Sequence, residues 1–415
     1  MSVPPSGAIR HPSALAPLGN RVFLGIWIAN MLSNIGGWMQ TAGTAWEMTT
    51  LTSQPIFVAL LAAAGTLPIF LFCFFAGILA DRFDRRRYII ACQCWMLIVS
   101  GIMAVLALFG WLTAWNLVAF SFLMGLGNAM NTPAWQAVLP EIVPASQLRP
   151  AVALNSAGFN LARTIGPVIG QILLSLVGVF LLFAINSATY IFVILAMRVW
   201  KRPAEARAGQ RQESFGAAAR AGLAFIHGSS ELKAVMARGA CYFVPGIAIT
   251  TLLPAIGRFQ LGLDEFSFGL LYTAFGVGAV TGALSMPLLN RLLGSGRANI
   301  WAMAVHGAAA VVAALVMRPI VFGACFAVTG ACWMVVVANN NTSMQMSLPH
   351  FMRARGMAIN QVVFFGAMVA GSLLWGQIAD FWSVRVALFV SAVSLAPLML
   401  LAASIRLPGS STPRL

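Results

Sequence analysis

Within the stretch GILADRFDRRR, residues 77–87, charged side chains crowd around Phe83: Asp81, Arg82, Asp84, Arg85, Arg86 and Arg87, in a chain of which 8% is charged. Arginines grouped this way bind anionic lipid headgroups at roughly 1 kcal/mol each, which accounts for the bases but not for Asp81. A carboxylate among guanidinium groups makes charge-assisted hydrogen bonds, and a strap of such bonds can join two bodies and release them. A second charge stands apart in the apolar run LARTIGPVIG: Arg163. Counted from a helix start near Ala151, it lies about 18 Å along at 1.5 Å per residue. Burying an arginine that deep in lipid costs ~2.5 kcal/mol or far more, so it must face protein or water. It is either a counter-charge for an anionic solute or part of a proton-coupling network, or a structural arginine bonded to carbonyls between helices. Glu47 is the acid placed in an apolar run, at the outer end of its helix, either as an interfacial carboxylate or as a group that exchanges protons.

These residues need a scaffold that lipid tolerates. Of 415 residues 60% are hydrophobic, and the mean hydropathy is +0.86, more apolar surface than a soluble domain can hide. Runs long enough to cross ~30 Å of hydrocarbon as helices fall at 21–47, 56–80, 88–110, 113–137, 152–176, 178–198, 235–257, 266–290, 298–317, 320–342, 355–377 and 384–405. Lipid offers the backbone no partners, and the alternation of a membrane barrel is absent, so the fold class is an all-α membrane protein with twelve transmembrane helices. The net charge of +15 does not imply nucleic acid. With both termini inside, 21 of the 25 Lys and Arg fall in inner loops or ends, against Arg258, Arg318 and Arg385 outside, the positive-inside pattern with lipid headgroups as partners. The expected location is therefore the inner (plasma) membrane with both termini cytoplasmic. Residues 1–20 lack a cleavable signal pattern. The six cysteines all lie in spans, and neither a disulfide framework, a metal site nor a cofactor is implied.

Shifting the chain by 205 positions aligns Pro144 with Pro349, Asn155 with Asn360, Gly125 with Gly330, Gly77 with Gly282 and Gly166 with Gly371. This is the mark of a duplicated unit. The expected organisation is a six-helix bundle over 1–200, a cytoplasmic linker with an amphipathic helix over 201–232, and a second six-helix bundle over 233–415, the layout of transporters that rock about a midplane site.

Gly77, Asp81, Arg82, Arg85 and Arg86 resemble the G-x-x-x-D-R/K-x-G-R/K-R/K signature of the major facilitator superfamily, with Asp84 in place of the second glycine. SNIGGWMQTAGTAWEMTTLT (33–52), NTPAWQAVLPEIVP (131–144), LRPAVALNSAGFNLARTIGPVIG (148–170) and MRARGMAINQVVFFGAMVAGSLLWG (352–376) look like its transmembrane secretion effector branch, which includes the enterobactin exporter and is related to macrolide efflux pumps. The resemblance covers nearly the whole chain. It implies the major facilitator fold and a gate closing the cytoplasmic side at Asp81. Gly166, Pro167 and Gly170 resemble part of the fifth-helix antiporter motif, with Ala162 and Gln171 where glycine is usual. Read as residues alone, they give a kinked and closely packed helix.

Candidate cavity-lining groups are Asn30, Asn34 and Trp38, at fourfold spacing on the first helix, and Asn128, Asn131 and Trp135 on the fourth. Trp333 and Asn339 join them by resemblance. Each asparagine has an alternative use as a helix-to-helix bond worth ~1 kcal/mol. The expected function is export of a small molecule, a siderophore, drug or hydrophobic metabolite, by alternating access in exchange for protons, by a monomer. An importer of the same fold, or a non-transporting receptor or scaffold, is the alternative. An enzyme is disfavoured: the chain has four histidines and lacks HExxH, GxSxG and Walker patterns.

Overall fold

A computed structural model describes residues 13, 15–202, 224–225, 227–349 and 353–404. Most of the linker, 203–223, including the start of its amphipathic segment, lies outside the described residues. The first half comprises α1 (Arg21–Leu51), α2 (Pro55–Arg82), α3 (Arg85–Leu108) and α4 (Ala114–Ile142), followed by the long stretch Leu148–Val199. That stretch turns back on itself at Gly178, whose φ of 76° is open to a residue without Cβ, giving α5 (148–177) and α6 (179–199). The second half comprises α7, which begins as Ser230–Gly246 and runs on through short helical turns to Gln260, then α8 (Glu265–Leu293), α9 (Ser295–Leu315), α10 (Pro319–Ser347), α11 (Arg353–Phe381) and α12 (Val384–Ser404). Pro245 and Pro254 each remove a backbone donor from α7, and its last turn, Ile256–Gln260, is π-helical.

Ten stretches are long and apolar enough to cross a membrane. One of them holds both α5 and α6. A further helix, α4, falls short because Asn116, Asn128 and Asn131 dilute its apolar run. The expected twelve helices are therefore present among the described residues. Local chemistry fixes their starts. Asn20 accepts from the amides of Val22 and Phe23 at 2.9 and 3.3 Å, Thr113 and Asn116 cap α4 reciprocally, and Ser229 accepts from Leu232 at 3.3 Å, each satisfying orphan N–H groups.

The 205-residue register reappears as packing. Gly166 of α5 lies against α1, where a Cβ would sit 2.7 Å from that of Trp38, and Gly371 of α11 lies against Val244 and Ile247 of α7. Gly125 of α4 abuts the Gly65 carbonyl of α2, and Gly330 of α10 abuts the Phe275 carbonyl of α8. Trp135 donates to Asn155 at 3.4 Å, and Asn340 donates to Asn360 at 3.4 Å. Each half also has a buried polar knot. Gln40 (α1) accepts from Ser100 (α3) at 2.6 Å and from Asn186 (α6), while Tyr242 (α7) bonds His306 Nδ1 (α9) at 2.9 Å.

Between halves the packing runs along two seams, α2 with α11 and α5 with α8. Small residues form them: Gly376 meets Ala59, Gly366 meets Phe70, Gly276 meets Thr164 and Gly269 meets Gln171.

Candidate functional site

The charged stretch at the α2–α3 turn is organised around a residue the sequence did not single out. Glu141, in the last turn of α4, accepts from Arg85 Nη1 at 2.8 Å and from Arg202 Nε and Nη2 at 2.7 and 2.8 Å. Arg202 Nη1 also lies 3.5 Å from Asp84, which caps α3 by accepting from the Arg87 amide at 3.1 Å. The Arg202 side chain is 1% exposed and that of Glu141 8%, so this is a buried, bidentate ion pair. Hydrogen bonding to Glu141 holds the Arg202 guanidinium above its usual pKa. Arg86 donates to the carbonyls of Met197 and Arg198 at 2.7 and 2.6 Å, closing the end of α6, and Arg85 also donates to the Ala137 carbonyl at 3.1 Å. These described bonds tie α3, α4 and α6 of the first half to one another. They seat the α2–α3 turn against α4 and α6. Asp81 ends α2, and its side chain lies outside the described part of the structure; Arg82 is exposed and Gly77 is half-buried.

Arg163 stands midway along α5. Its guanidinium carbon lies 5.6 Å from the Trp38 ring of α1 and 5.5 Å from the Phe275 ring of α8, so the charge rests on aromatic faces supplied by opposite halves. Among the described residues it has no carboxylate partner. Gly166 and Gly170, with Pro167 between them, press α5 onto α1; a Cβ on Gly170 would sit 2.8 Å from Met39 Cα. They set how closely Arg163 approaches Trp38. One face further round, Thr164 and Gln171 of α5 meet Gly276 and Gly269 of α8. Both amide atoms of Gln171 are buried without a hydrogen-bond partner.

The α5–α8 seam is closely packed from Thr164 toward the end opposite the arginines, and α2 and α11 also meet nearer the arginine-rich end, where Cys73 Sγ lies 4.0 Å from the Ala358 carbonyl. Ser156 and Asn160 of α5, and Thr281, Leu284 and Leu288 of α8, are exposed, whereas Gly276 and Gly269 are buried. The far end is sealed by side chains from both halves. Trp46 Nε1 (α1) donates to Glu265 Oε1 (α8) at 3.1 Å, its ring packs 4.8 Å from Phe268, and Arg258 of α7 lies 5.3 Å from it. Glu47 sits beside this group, within electrostatic range of Arg258 and Glu265. Asp264 caps α8 through Ser267, and those hydrogen bonds hold its carboxyl below the usual range.

The remaining candidates divide. Asn30 donates to Asn155 at 3.3 Å, so with Trp135 it joins α1, α4 and α5. Asn34 and Trp38 are half-buried, Asn128 is exposed, and the side-chain oxygen of Asn131 is buried without a partner. Asn339 does not reach a cavity. It is 2% exposed and bonds Asn290 of α8 and Asn299 of α9 at 2.7 to 3.1 Å. Trp333 is packed into an aromatic cluster with Tyr242, Phe243 and Phe364. No grouping of His, Cys, Asp and Glu suited to a metal ion occurs among the described residues.

Residues 12–413 match the family described as transmembrane secretion effector. The chain is 22% identical over 272 residues to a staphyloferrin A transporter of Staphylococcus aureus, covering 64% of this chain and 67% of that one. It is 22% identical to macrolide efflux protein A of Streptococcus pyogenes, covering 65% and 66%, so the match spans about two thirds of these two relatives. Over 370 residues it is 24% identical to the multidrug efflux pump Tap of Mycolicibacterium fortuitum, covering 86% and 88%. Among solved structures, a bacterial homologue of the lysosomal transporter Spinster in its inward-facing, occupied conformation superposes with a TM-score of 0.75 at 14% identity, covering 96% of this chain and 99% of that one. At this identity the likeness speaks for the fold.

Proposed function

This chain belongs to the transmembrane secretion effector family, and we propose that it exports a small molecule across the inner membrane by alternating access. The observation that carries this is the asymmetric α5–α8 seam. The halves pack closely at the Trp46–Glu265 end, Ser156 and Asn160 of α5 are exposed toward the arginine-rich end, and an arginine without a described carboxylate partner stands between the two. One state of a rocking cycle requires this arrangement, and the reverse tilt would expose Arg163 to the other side.

In this reading residues 1–200 and 233–415 move as bodies joined by 201–232, and the Glu141 brace keeps the first body rigid. The arginine-rich end faces the cytoplasm, as the positive-inside pattern directs. Proton exchange supplies the energy, with Glu47 as the acid beside the far-end seal. The unit is a monomer in contact with anionic lipid. The efflux and siderophore relatives support the outward direction.

Reconstitution in liposomes tests it. Solute should accumulate in vesicles whose arginine-rich end faces out when a pH gradient is imposed, and an uncoupler should stop accumulation. Arg163→Ala should abolish accumulation with membrane insertion intact. Transport unaffected by Arg163→Ala would remove Arg163 from the mechanism, and transport insensitive to the uncoupler would exclude protons.

A further inference from the structure

We propose that the cargo is an organic anion with an aromatic or apolar body, its negative group held by Arg163 and its body laid against the half-buried Trp38. The proposal rests on the α5–α8 seam at Arg163 being the cargo path, and narrows it to a charge class.

Three observations converge. The two rings lie 5.6 and 5.5 Å from the guanidinium carbon, close enough to stabilise the charge without accepting from its N–H donors. A guanidinium has five such donors in a rigid fork matched to carboxylate, sulfonate or phosphate, and no described acceptor occupies them. The second observation is the placement of the acids. The chain holds ten Asp and Glu. Glu47, Asp264, Glu265 and Asp380 lie at the far end, Asp81, Asp84, Glu141 and Glu231 at the arginine-rich end, and Glu205 and Glu213 in the linker. Among the described residues no carboxylate stands at the depth of Arg163 to neutralise it or to receive a cationic cargo. The third is the surface leading inward. Ser156 and Asn160 are exposed on α5, Asn128 and Thr132 on α4. Neutral hydroxyl and amide groups wet the approach without competing for the guanidinium.

The rings come from opposite halves, Trp38 from α1 and Phe275 from α8. The guanidinium therefore keeps this setting only while the halves are in register at this depth. An anion also relieves the cost of an arginine without a counter-charge inside the membrane, so the bound state is favoured by the site's own electrostatics.

The test compares three probes of one shape on the full chain in nanodiscs: 2-naphthoate, 2-naphthamide and 2-naphthylmethylammonium. Equilibrium dialysis should give an affinity for naphthoate about tenfold or more above that for the amide, the scale of one charge-assisted hydrogen bond, and no saturable binding of the ammonium. Arg163→Gln should reduce naphthoate to the level of the amide, and Arg163→Lys should recover part of the difference. Equal binding of acid and amide by the unaltered chain overturns the proposal, and this comparison needs no variant to fold. Tighter binding of the ammonium overturns it as well. Export of a cation in the liposome assay would leave the transport reading standing and remove the anion, whereas Arg163-dependent naphthoate binding without transport of any solute would do the reverse.

Discussion

Glu141→Gln is the substitution whose consequence can be worked furthest. The glutamine keeps the shape but removes the charge facing two arginines, at 2.7 to 2.8 Å. Arg202, 1% exposed at its side chain, would keep Asp84 at 3.5 Å among its partners. Deleting one partner of a buried pair costs about 3–5 kcal/mol because the other charge is left stranded, and the remaining Asp84 places this case near ~3 kcal/mol. For a cooperative unit the size of one half, ~2–4 °C per kcal/mol gives a fall in melting temperature of roughly 6–12 °C. Scanning fluorimetry of the purified chain in detergent reads it, with Glu231→Gln, whose described partner is the Ser347 hydroxyl, as the control. A double-mutant cycle with Arg202→Gln should return a coupling of about 1.5–3 kcal/mol. Melting within about 1 °C of the parent, or strictly additive losses, would show that the cluster is not a buried brace.

Trp46→Ala should open the far end, so that a cysteine placed near Phe268 reacts with a membrane-impermeant maleimide added on that side; an unchanged labelling rate would refute the seal. Gly170→Leu drives a side chain into the Met39 backbone, 2.8 Å from the Cβ position; the overpacking should cost about 1–3 kcal/mol or more, seen as lost folded yield, and a stable variant would contradict the close α1–α5 contact. Asn155→Ala and Asn360→Ala remove equivalent bonds in the two halves and should each cost roughly 1 kcal/mol in thermal stability; a large effect in one half alone would argue against equivalent roles. The depressed Asp264 carboxyl stabilises the folded chain above the ordinary aspartate pKa of about 3.9, and the contribution is lost as pH falls through its lower folded value, so Asp264→Asn should flatten the acid limb of a stability–pH curve.

Helix positions were legible because lipid imposes one rule on the backbone: the runs read from hydropathy differ from the observed helices mainly at the ends, where caps such as Asp84 and Asp264 decide the boundary. The duplication was legible too, since Trp135 with Asn155 and Asn340 with Asn360 make the same contact 205 positions apart. The depth of Arg163 followed from counting residues. What failed to show were pairings between distant segments. Glu141 looks like an ordinary helix end in PEIVP, and its partner lies 61 positions away; Trp46 and Glu265 are 219 apart. In the asparagine run at 339–341 the sequence could not say which residue faces where, because successive side chains on a helix point about 100° apart. Asn339 turns toward α8 and α9, and its neighbours turn toward Asn360.

The buried carboxamide of Gln171 faces Gly269 and meets no hydrogen-bond partner among the described residues. Leaving such a group unsatisfied costs about 1–3 kcal/mol, and the penalty exists only while the crevice is shut. Opening this crevice to water would hydrate the amide and relieve that cost. Replacing the amide by leucine should leave the chain resting on one side, with fewer turnovers per second and no change in what it recognises.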